Sequence, residues 1–266
     1  MATEIDAKLN RLFSGWSEGA IYLNSYLKKR GIYDQLLSQY RKSKWVKSVG
    51  SGAVARYNDK ISIVSGVSAL QAQAYMPIHF GGKTALSMLG RSHYLELDMQ
   101  KVTIFGKKNR KLPAWFKNYS WEAEWEYHTT DFLPYDLGLT EVMEVMEVKV
   151  DNFTIKISSA ARAMLECLYL APDKQDLVEC YQIMESLNNL RPDSVQELLE
   201  ECSSVKVKRL FVYMADKAGH SWLKYLELDK IDLGSGKRSI VKNGVYVKKY
   251  MITIPRELEN NDEPNI

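Results

Sequence analysis

Side chains that can read and grip nucleic acid are concentrated within residues 35–42. They are Gln35, Ser38, Gln39, Arg41 and Lys42. A glutamine amide pairs with the base edge of adenine, an arginine fork pairs with guanine, and a serine hydroxyl bonds to either base. Lysine neutralises backbone phosphate and makes binding depend on salt. The pattern indicates DNA recognition, whereas the structural alternative is an ordinary solvated helix face.

Two short helices are predicted to position these side chains. The first covers Ser25–Arg30 and is stopped by Gly31, a residue suited to the left-handed position after a helix. The second covers Tyr33–Lys42 and gathers its apolar residues on one side, namely Leu36, Leu37 and Tyr40. This arrangement predicts a helix-turn-helix, completed by an amphipathic opening helix over Ile5–Phe13.

A β-wing is predicted directly after the second helix. Two strand-like runs, Trp45–Val49 and Ala53–Tyr57, flank the tight-turn sequence at residues 50–52. Residues 21–60 hold nine Lys or Arg and two Asp, a local charge of +7. The remaining cations are expected to contact phosphates or the neighbouring minor groove; they are Lys44, Lys47 and Arg56.

Composition favours a globular protein with an uneven charge. The chain has 266 residues, 45% hydrophobic and 26% charged, with a formal net charge of +3. Residues 121–150 contain eight carboxylates and one lysine, whereas residues 201–250 contain eleven Lys or Arg and five acids. No secretory signal or membrane-length apolar run occurs, and three cysteines read as reduced thiols, so a cytoplasmic location is expected.

The pattern along the chain predicts an α+β protein: an N-terminal winged helix followed by a mixed α/β C-terminal domain. We expect a first domain over residues 1–97, with the winged helix proper at about 5–58 and bridging helices behind it. A second domain over 98–258 and a disordered tail over 259–266 follow. Further helices are predicted at Ile61–Tyr75, Lys83–Gly90, Arg162–Leu170, Gln175–Asn188, Ser194–Cys202 and Val205–Ala218, with a turn at Pro77–Gly82. Strands are predicted at Tyr94–Leu97, Lys101–Phe105, Trp121–Tyr127 and Tyr250–Ile254, and Val148–Ile157 is predicted to contain a pair of strands around Asp151-Asn152.

Two motifs imitate enzyme sites. Gly81-Gly82-Lys83-Thr84 resembles the end of a phosphate-binding loop, but Pro77 stands where that motif needs glycine, so a helix entry is favoured. Asp136 with Glu147 and Lys149 imitates a metal-dependent nuclease, in which carboxylates hold Mg²⁺ and activate water. Chance alternation on a half-exposed strand explains the second motif better. We therefore expect no catalytic residue, metal or cofactor.

A second basic face is predicted near the C-terminus, beside a Gly-rich loop at residues 234–236. Its members are Lys206, Lys208, Arg209, Lys237 and Arg238. Such a face could extend the DNA footprint or meet a partner, although lysines also solvate ordinary surfaces.

Nine segments together resemble the AbiEi family, antitoxins of type IV toxin–antitoxin systems. They are Ser43–Gly50, His79–Leu86, Gly90–Leu95, Val102–Gly106, Lys111–Phe116, Asp136–Thr140, Ser158–Glu166, Ser204–Phe211 and Asp232–Arg238. The resemblance implies an autorepressor that binds an inverted-repeat operator through its winged helix. It also implies a C-terminal antitoxin domain that counteracts a nucleotidyltransferase-like toxin without a stable complex.

The chain departs from the family pattern at three places. Tyr33 stands where a serine usually caps the recognition helix, and Lys44 stands where glycine is common before Trp45. Ala160 and Ala161 replace the usual proline and acid before Arg162, which leaves open whether that acid matters for antitoxicity. The alternatives to an antitoxin are the nuclease above and a ligand-sensing transcription factor without a toxin.

Overall fold

The computed structural model describes residues 13–90, 101–135 and 145–259. The chain forms two compact units. The first contains residues 1–78, 110–124 and 147–156, and the second contains 79–109, 125–146 and 157–266. Helices and strands occur in both, so the predicted α+β class is confirmed. Most of the predicted opening helix, the predicted strand at 94–97 and residues 260–266 lie outside the described ranges.

The described elements follow one another in this order: β1 (Ile21–Leu23), α1 (Asn24–Lys29), α2 (Asp34–Lys42), β2 (Val46–Ser48), β3 (Ala53–Arg56), α3 (Ile63–Ala74), β4 (Ile78–Phe80), α4 (Gly82–Met88), β5 (Lys101–Lys107), α5 (Ala114–Asn118), β6 (Glu124–Thr130), β7 (Val145–Val150), β8 (Phe153–Ser158), α6 (Ala160–Leu170), α7 (Leu177–Glu185), α8 (Pro192–Glu201), α9 (Val205–Lys217), β9 (Val245–Val247) and β10 (Ile252–Ile254). Short 3₁₀ turns cover Ser221–Tyr225, Leu228–Lys230 and Arg256–Leu258.

The first unit contains a winged helix. Helices α1 and α2 form the predicted helix-turn-helix, and β2 and β3 form the predicted hairpin. Strand β1 adds to β3, giving an antiparallel sheet in the order β1-β3-β2. The core beneath α2 is apolar because Leu37 and Tyr40, three residues apart, share one helix face. Burying each such side chain stabilises the fold by about 1.5–3 kcal/mol.

Two glutamines fasten α3 within the first unit. The Gln73 amide donates to Ile21 O and accepts from Leu23 N, both at 2.8 Å, which ties α3 to β1. The Gln71 amide donates to Lys156 O at 3.0 Å and accepts from Lys156 N at 2.9 Å. Each amide thus donates one hydrogen bond to strand backbone and accepts one from it. These four bonds hold α3 against β1 and β8.

A five-stranded sheet has the strand order β6-β5-β4-β8-β7. Strand β4 pairs in parallel with β8, with Phe80 opposite Ile157. The predicted turn at Pro77–Gly82 is therefore wrong in its middle: residues 78–80 are a buried strand. Proline and glycine on either side of a three-residue apolar run give it the appearance of a turn.

Helices α6 to α9 of the second unit confirm the helices predicted between residues 162 and 218, with boundaries shifted by a few residues. Three of them begin with a side-chain cap: Ser159 for α6, Asp176 for α7 and Ser204 for α9. Strand β9, which pairs with β10, was not predicted. Lys206 and Arg209 were predicted to belong to an exposed basic face. In the structure Lys206 is half-buried and Arg209 is fully buried.

Candidate nucleic-acid interface

One face of α2 is exposed and polar. Gln35, Ser38, Gln39 and Lys42 follow the spacing that places residues on one side of a helix, and all four are exposed. Arg41 is exposed beside them, with its Nε donating to Leu37 O at 3.3 Å. The apolar side of the helix is buried, so this face is held outward by packing behind it.

Helix α2 begins at Asp34 without a side-chain cap. Tyr33 occupies the cap position in extended conformation, and its side chain accepts no hydrogen bond there. Asp34 lies in the first turn, where its carboxylate stabilises the helix dipole. The carboxylate of Asp34 therefore stabilises the first turn of this helix, in place of the usual serine cap.

Three large aromatic side chains around α2 are exposed, a feature that the sequence reasoning missed. Tyr33 is 57% exposed, Trp45 51% and Tyr57 41%. The Lys44 ammonium lies 6.0 Å from the centre of the Tyr57 ring. Lys44 itself has a φ of +56°, which explains why glycine is common at this turn. Exposed aromatic and basic side chains together suit a surface that contacts bases and sugars.

The wing residues Lys47 and Arg56 are partly engaged with their own domain. The Lys47 ammonium donates to Asp59 O, and Arg56 Nη2 donates to Phe13 O at 2.9 Å. The Arg56 guanidinium also lies 5.4 Å from the Phe13 ring centre. Both side chains are half-buried, so they help to fix the wing and are less available to phosphate than Lys42 or Lys44.

The wing turn approaches α5. A Cβ at Gly50 would lie 3.1 Å from both Cα and Cβ of Trp115, and the φ of Gly50 is +113°. Only glycine fits this close approach without displacing the tryptophan backbone. The turn is therefore packed on its own unit.

Sequence reasoning also passed over the end of α1. Lys28, Lys29 and Arg30 are consecutive and exposed, and the guanidinium of Arg30 lies 4.5 Å from the Tyr26 ring centre. In a helix-turn-helix the first helix crosses the phosphate backbone, so cations at its end are well placed for phosphate contacts. The signal was the basic run itself, which entered the charge count but not the predicted site.

The structure separates the members of the predicted C-terminal basic face. Lys208 and Arg209 are buried, at 3% and 1% exposure. Lys206 is half-buried and donates to Tyr169 O at 2.9 Å and to Ala171 O. Only Lys237 and Arg238 are exposed. The predicted face is therefore reduced at the surface to these last two residues.

Arg209 holds the Gly-rich loop that precedes them. Its guanidinium donates to four backbone carbonyls, at distances from 2.6 to 3.2 Å; they belong to Leu233, Gly234, Gly236 and Met251. The planar fork of arginine matches several converging acceptors at once. Its role is to shape the loop that presents Lys237 and Arg238.

Family models match both parts of the chain. Residues 5–97 match the model described as "Transcriptional regulator, AbiEi antitoxin N-terminal domain". Residues 99–255 match the model described as "Transcriptional regulator, AbiEi antitoxin, Type IV TA system". The chain belongs to the AbiEi antitoxin family.

A solved structure shares the fold of this AbiEi-family chain. The crystal structure of the RV2827C protein from Mycobacterium tuberculosis superposes with a TM-score of 0.59 over 88% of this chain and 85% of the other, at 12% sequence identity. No curated protein matches the chain at a significant level.

The family segment Ser158–Glu166 contributes to a buried polar cluster in the second unit. The Glu166 carboxylate is fully buried and accepts from Gly82 N at 2.9 Å and Ser158 Oγ at 2.8 Å. It also bonds to His79 Nε2 at 2.8 Å and accepts from Arg162 Nε at 3.1 Å. We call these five residues the Glu166 cluster. Ala161, where the family pattern has an acid, is also buried in α6.

The Glu166 cluster explains how the structure uses Gly81–Thr84, the residues that resemble the end of a phosphate-binding loop. The carboxylate of Glu166 binds the backbone N–H of Gly82, the position from which such a loop would bind phosphate. A Cβ at Gly81 would lie 2.2 Å from Glu166 Oε2. The adjacent lysine, Lys83, pairs instead with Glu179 at 2.6 Å. An internal anion thus occupies this helix start, and the helix entry favoured from the sequence is confirmed because α4 begins at Gly82.

The polar partners of Glu166 determine the direction of its pKa shift. Burial raises the pKa of Glu166, but His79, Arg162 and Ser158 together outweigh burial and hold it below its usual value. Burial lowers the pKa of His79, against the pull of Glu166, with Arg162 also lowering it. The lowered pKa keeps the Glu166 carboxylate ionised at neutral pH, beside the guanidinium of Arg162.

The remaining enzyme-like motif is only partly covered by the described ranges. Glu147 and Lys149 are exposed on β7, and Asp136 lies outside those ranges. In the parts of the chain that the structure covers, no three His, Cys, Asp or Glu side chains are grouped to hold a metal ion.

None of the helices described there is long and apolar enough to cross a membrane.

Replacing Glu166 by glutamine is expected to destabilise the protein by about 3–5 kcal/mol, because Arg162 would remain buried without its counter-charge. Urea unfolding followed by circular dichroism at pH 7 measures the loss. Since the folded pKa of Glu166 is lowered, its contribution is complete above the unfolded value near 4.5 and decreases as the pH falls further. The difference in free energy of unfolding between wild type and Glu166→Gln should therefore become smaller below the unfolded pKa value.

Glu179→Gln is the matched control, because Glu179 pairs with Lys83 at 2.6 Å and the two side chains are 41% and 48% exposed. Exposed pairs contribute about 0–1 kcal/mol. Equal destabilisation by the two substitutions would contradict the role assigned to the Glu166 cluster.

Proposed function

We propose that this AbiEi-family protein is a DNA-binding autorepressor of its own operon. The observation that carries the proposal is the exposed polar face of α2, held outward by a buried apolar face within a winged helix. Placed in the major groove, Gln35 and Gln39 pair with adenine and Arg41 pairs with guanine. Ser38 bonds to a neighbouring base edge or phosphate.

Phosphate contacts surround this recognition face. Lys42 and Lys44 extend it toward the wing, while Lys28, Lys29 and Arg30 grip the backbone from the end of α1. Lys47 and Arg56 act mainly by fixing the wing, because their side chains already bond within the unit. These contacts supply affinity and salt dependence, and the α2 side chains supply sequence preference.

The operator in this proposal is an inverted repeat bound by two copies, because two-fold related half-sites require two recognition helices. We assign DNA binding to residues 1–97 and antitoxin activity to residues 98–258, the division expected from the sequence. The family models change at nearly the same place, between residues 97 and 99.

The antitoxin half counteracts a nucleotidyltransferase-like toxin, without forming a stable complex with it. We place its surface at Lys237 and Arg238, which are exposed beside a loop held by Arg209. Two exposed cations on a fixed loop suit an acidic protein surface or a nucleic-acid backbone.

Alanine at both Arg41 and Lys42 is expected to weaken binding to the upstream operon DNA at least about tenfold. The slope of log affinity against log salt should fall by about one to two, since two cations are removed. Fluorescence anisotropy with labelled DNA over a salt series measures both quantities.

A charge-matched control replaces Lys174 and Lys224 by alanine, because both are exposed and lie in the second unit. Its affinity should remain within about twofold of wild type. If both double variants lose the same affinity, α2 is not the recognition helix and only net charge matters.

Alanine at Lys237 and Arg238 is expected to abolish rescue of cells that express the toxin from the neighbouring gene, while operator affinity changes by less than about twofold. Colony counts after toxin induction provide the readout. The control removes two other exposed lysines of the second unit, Lys242 and Lys248. Full rescue by the Lys237/Arg238 variant would place the antitoxin surface elsewhere.

A further inference from the structure

Strand β7 is an edge of the five-stranded sheet. It is last in the order β6-β5-β4-β8-β7, and no described strand pairs with its outer side. An open edge offers a row of backbone donors and acceptors to another strand. Along β7, Glu147 and Lys149 are exposed and Val148 between them is half-buried.

The charges of β7 are self-complementary. Glu147 and Lys149 are two residues apart, so their side chains point to the same face of the sheet. Neither forms a salt bridge with another residue in the described ranges. If two such strands run antiparallel about a two-fold axis at Val148, each glutamate faces a lysine of the other copy. Every other symmetric register loses this match.

We propose that β7 pairs antiparallel with β7 of a second copy of this chain, centred on Val148. Each contact then contains two Glu147–Lys149 pairs, one on each side of the axis. The occupant of the edge is therefore another molecule of the same protein, selected by its own charge pattern.

The backbone supports the same register. A two-residue turn at Asp151 and Asn152 joins β7 to β8, and the φ of Asp151 is +51°. In such a hairpin the residues next to the turn bond to each other, so Val150 and Val148 direct their backbone groups to β8. Glu147 and Lys149 then direct theirs outward, where each meets the other residue of the second copy in a hydrogen-bonded pair.

This contact would set the orientation of the two α2 helices relative to each other. Residues 147–156 belong to the same compact unit as the winged helix, and Phe153 packs against the winged-helix core. A two-fold axis through Val148 therefore relates the two α2 helices as an inverted repeat requires. This second consequence rests on the proposed DNA binding, whereas the pairing itself does not.

Charge reversal on the full-length protein tests the pairing. Lys149→Glu places glutamate opposite glutamate twice, and Glu147→Lys places lysine opposite lysine. Each is expected to weaken self-association in sedimentation velocity at least about tenfold. The double variant Glu147→Lys/Lys149→Glu restores the opposite-charge pairs and should return to within about threefold of wild type. Because the double variant carries both substitutions, its recovery excludes misfolding as the cause of the single losses.

DNA titrations separate this inference from the proposed function. On DNA with one half-site all four proteins should bind alike, and on two half-sites the single variants should lose cooperativity. Absence of half-site binding in the wild type would refute the repressor proposal while sedimentation still decides the pairing. Wild-type protein without self-association, or a Lys149→Glu variant that associates as the wild type does, would overturn the pairing.

Discussion

A charged carboxylate without access to water needs a partner for each of its acceptor positions, and Glu166 has four donors. They come from separate segments: His79 from β4, Gly82 from the start of α4, Ser158 from the end of β8 and Arg162 from α6. Without any one of these four donors, an acceptor position of the buried carboxylate would face an apolar interior. The parallel pairing of β4 with β8 places His79 and Ser158 where both can bond to Glu166. Helix α6 directly follows β8 and supplies Arg162.

Cations in this chain have two different uses. Arg162 and Arg209 are buried and organise carbonyl or carboxylate oxygens around them, whereas the cations of α1 and α2 are exposed. Net charge and sequence position do not distinguish the two groups. The difference is whether acceptors converge on the side chain, and that depends on the tertiary fold. The overall charge of +3 thus understates the positive charge at the winged helix, where residues 21–60 alone carry +7.

Local patterns predicted the elements with clear periodicity or turn chemistry. The spacing of Leu37 and Tyr40 gave α2, and Asp151-Asn152 between alternating runs gave the β7–β8 hairpin. The short strands β1 and β4 were missed because three residues carry too little period to detect. The fate of Lys208 and Arg209 could not be predicted either, because their partners or packing neighbours are distant along the chain. For Arg209, the bonded carbonyls lie 24 to 42 residues away.

The exposed tryptophan just after α2 has a spectroscopic consequence. Among the six tryptophans, Trp45 is 51% exposed, Trp125 is intermediate and the others are buried. A water-soluble quencher such as iodide therefore reaches Trp45 more readily than the rest. The red-shifted, quenchable part of the intrinsic emission comes mainly from the surface beside α2. The protein thus carries a native fluorophore beside α2, and any molecule that covers Trp45 would change the emission without a label.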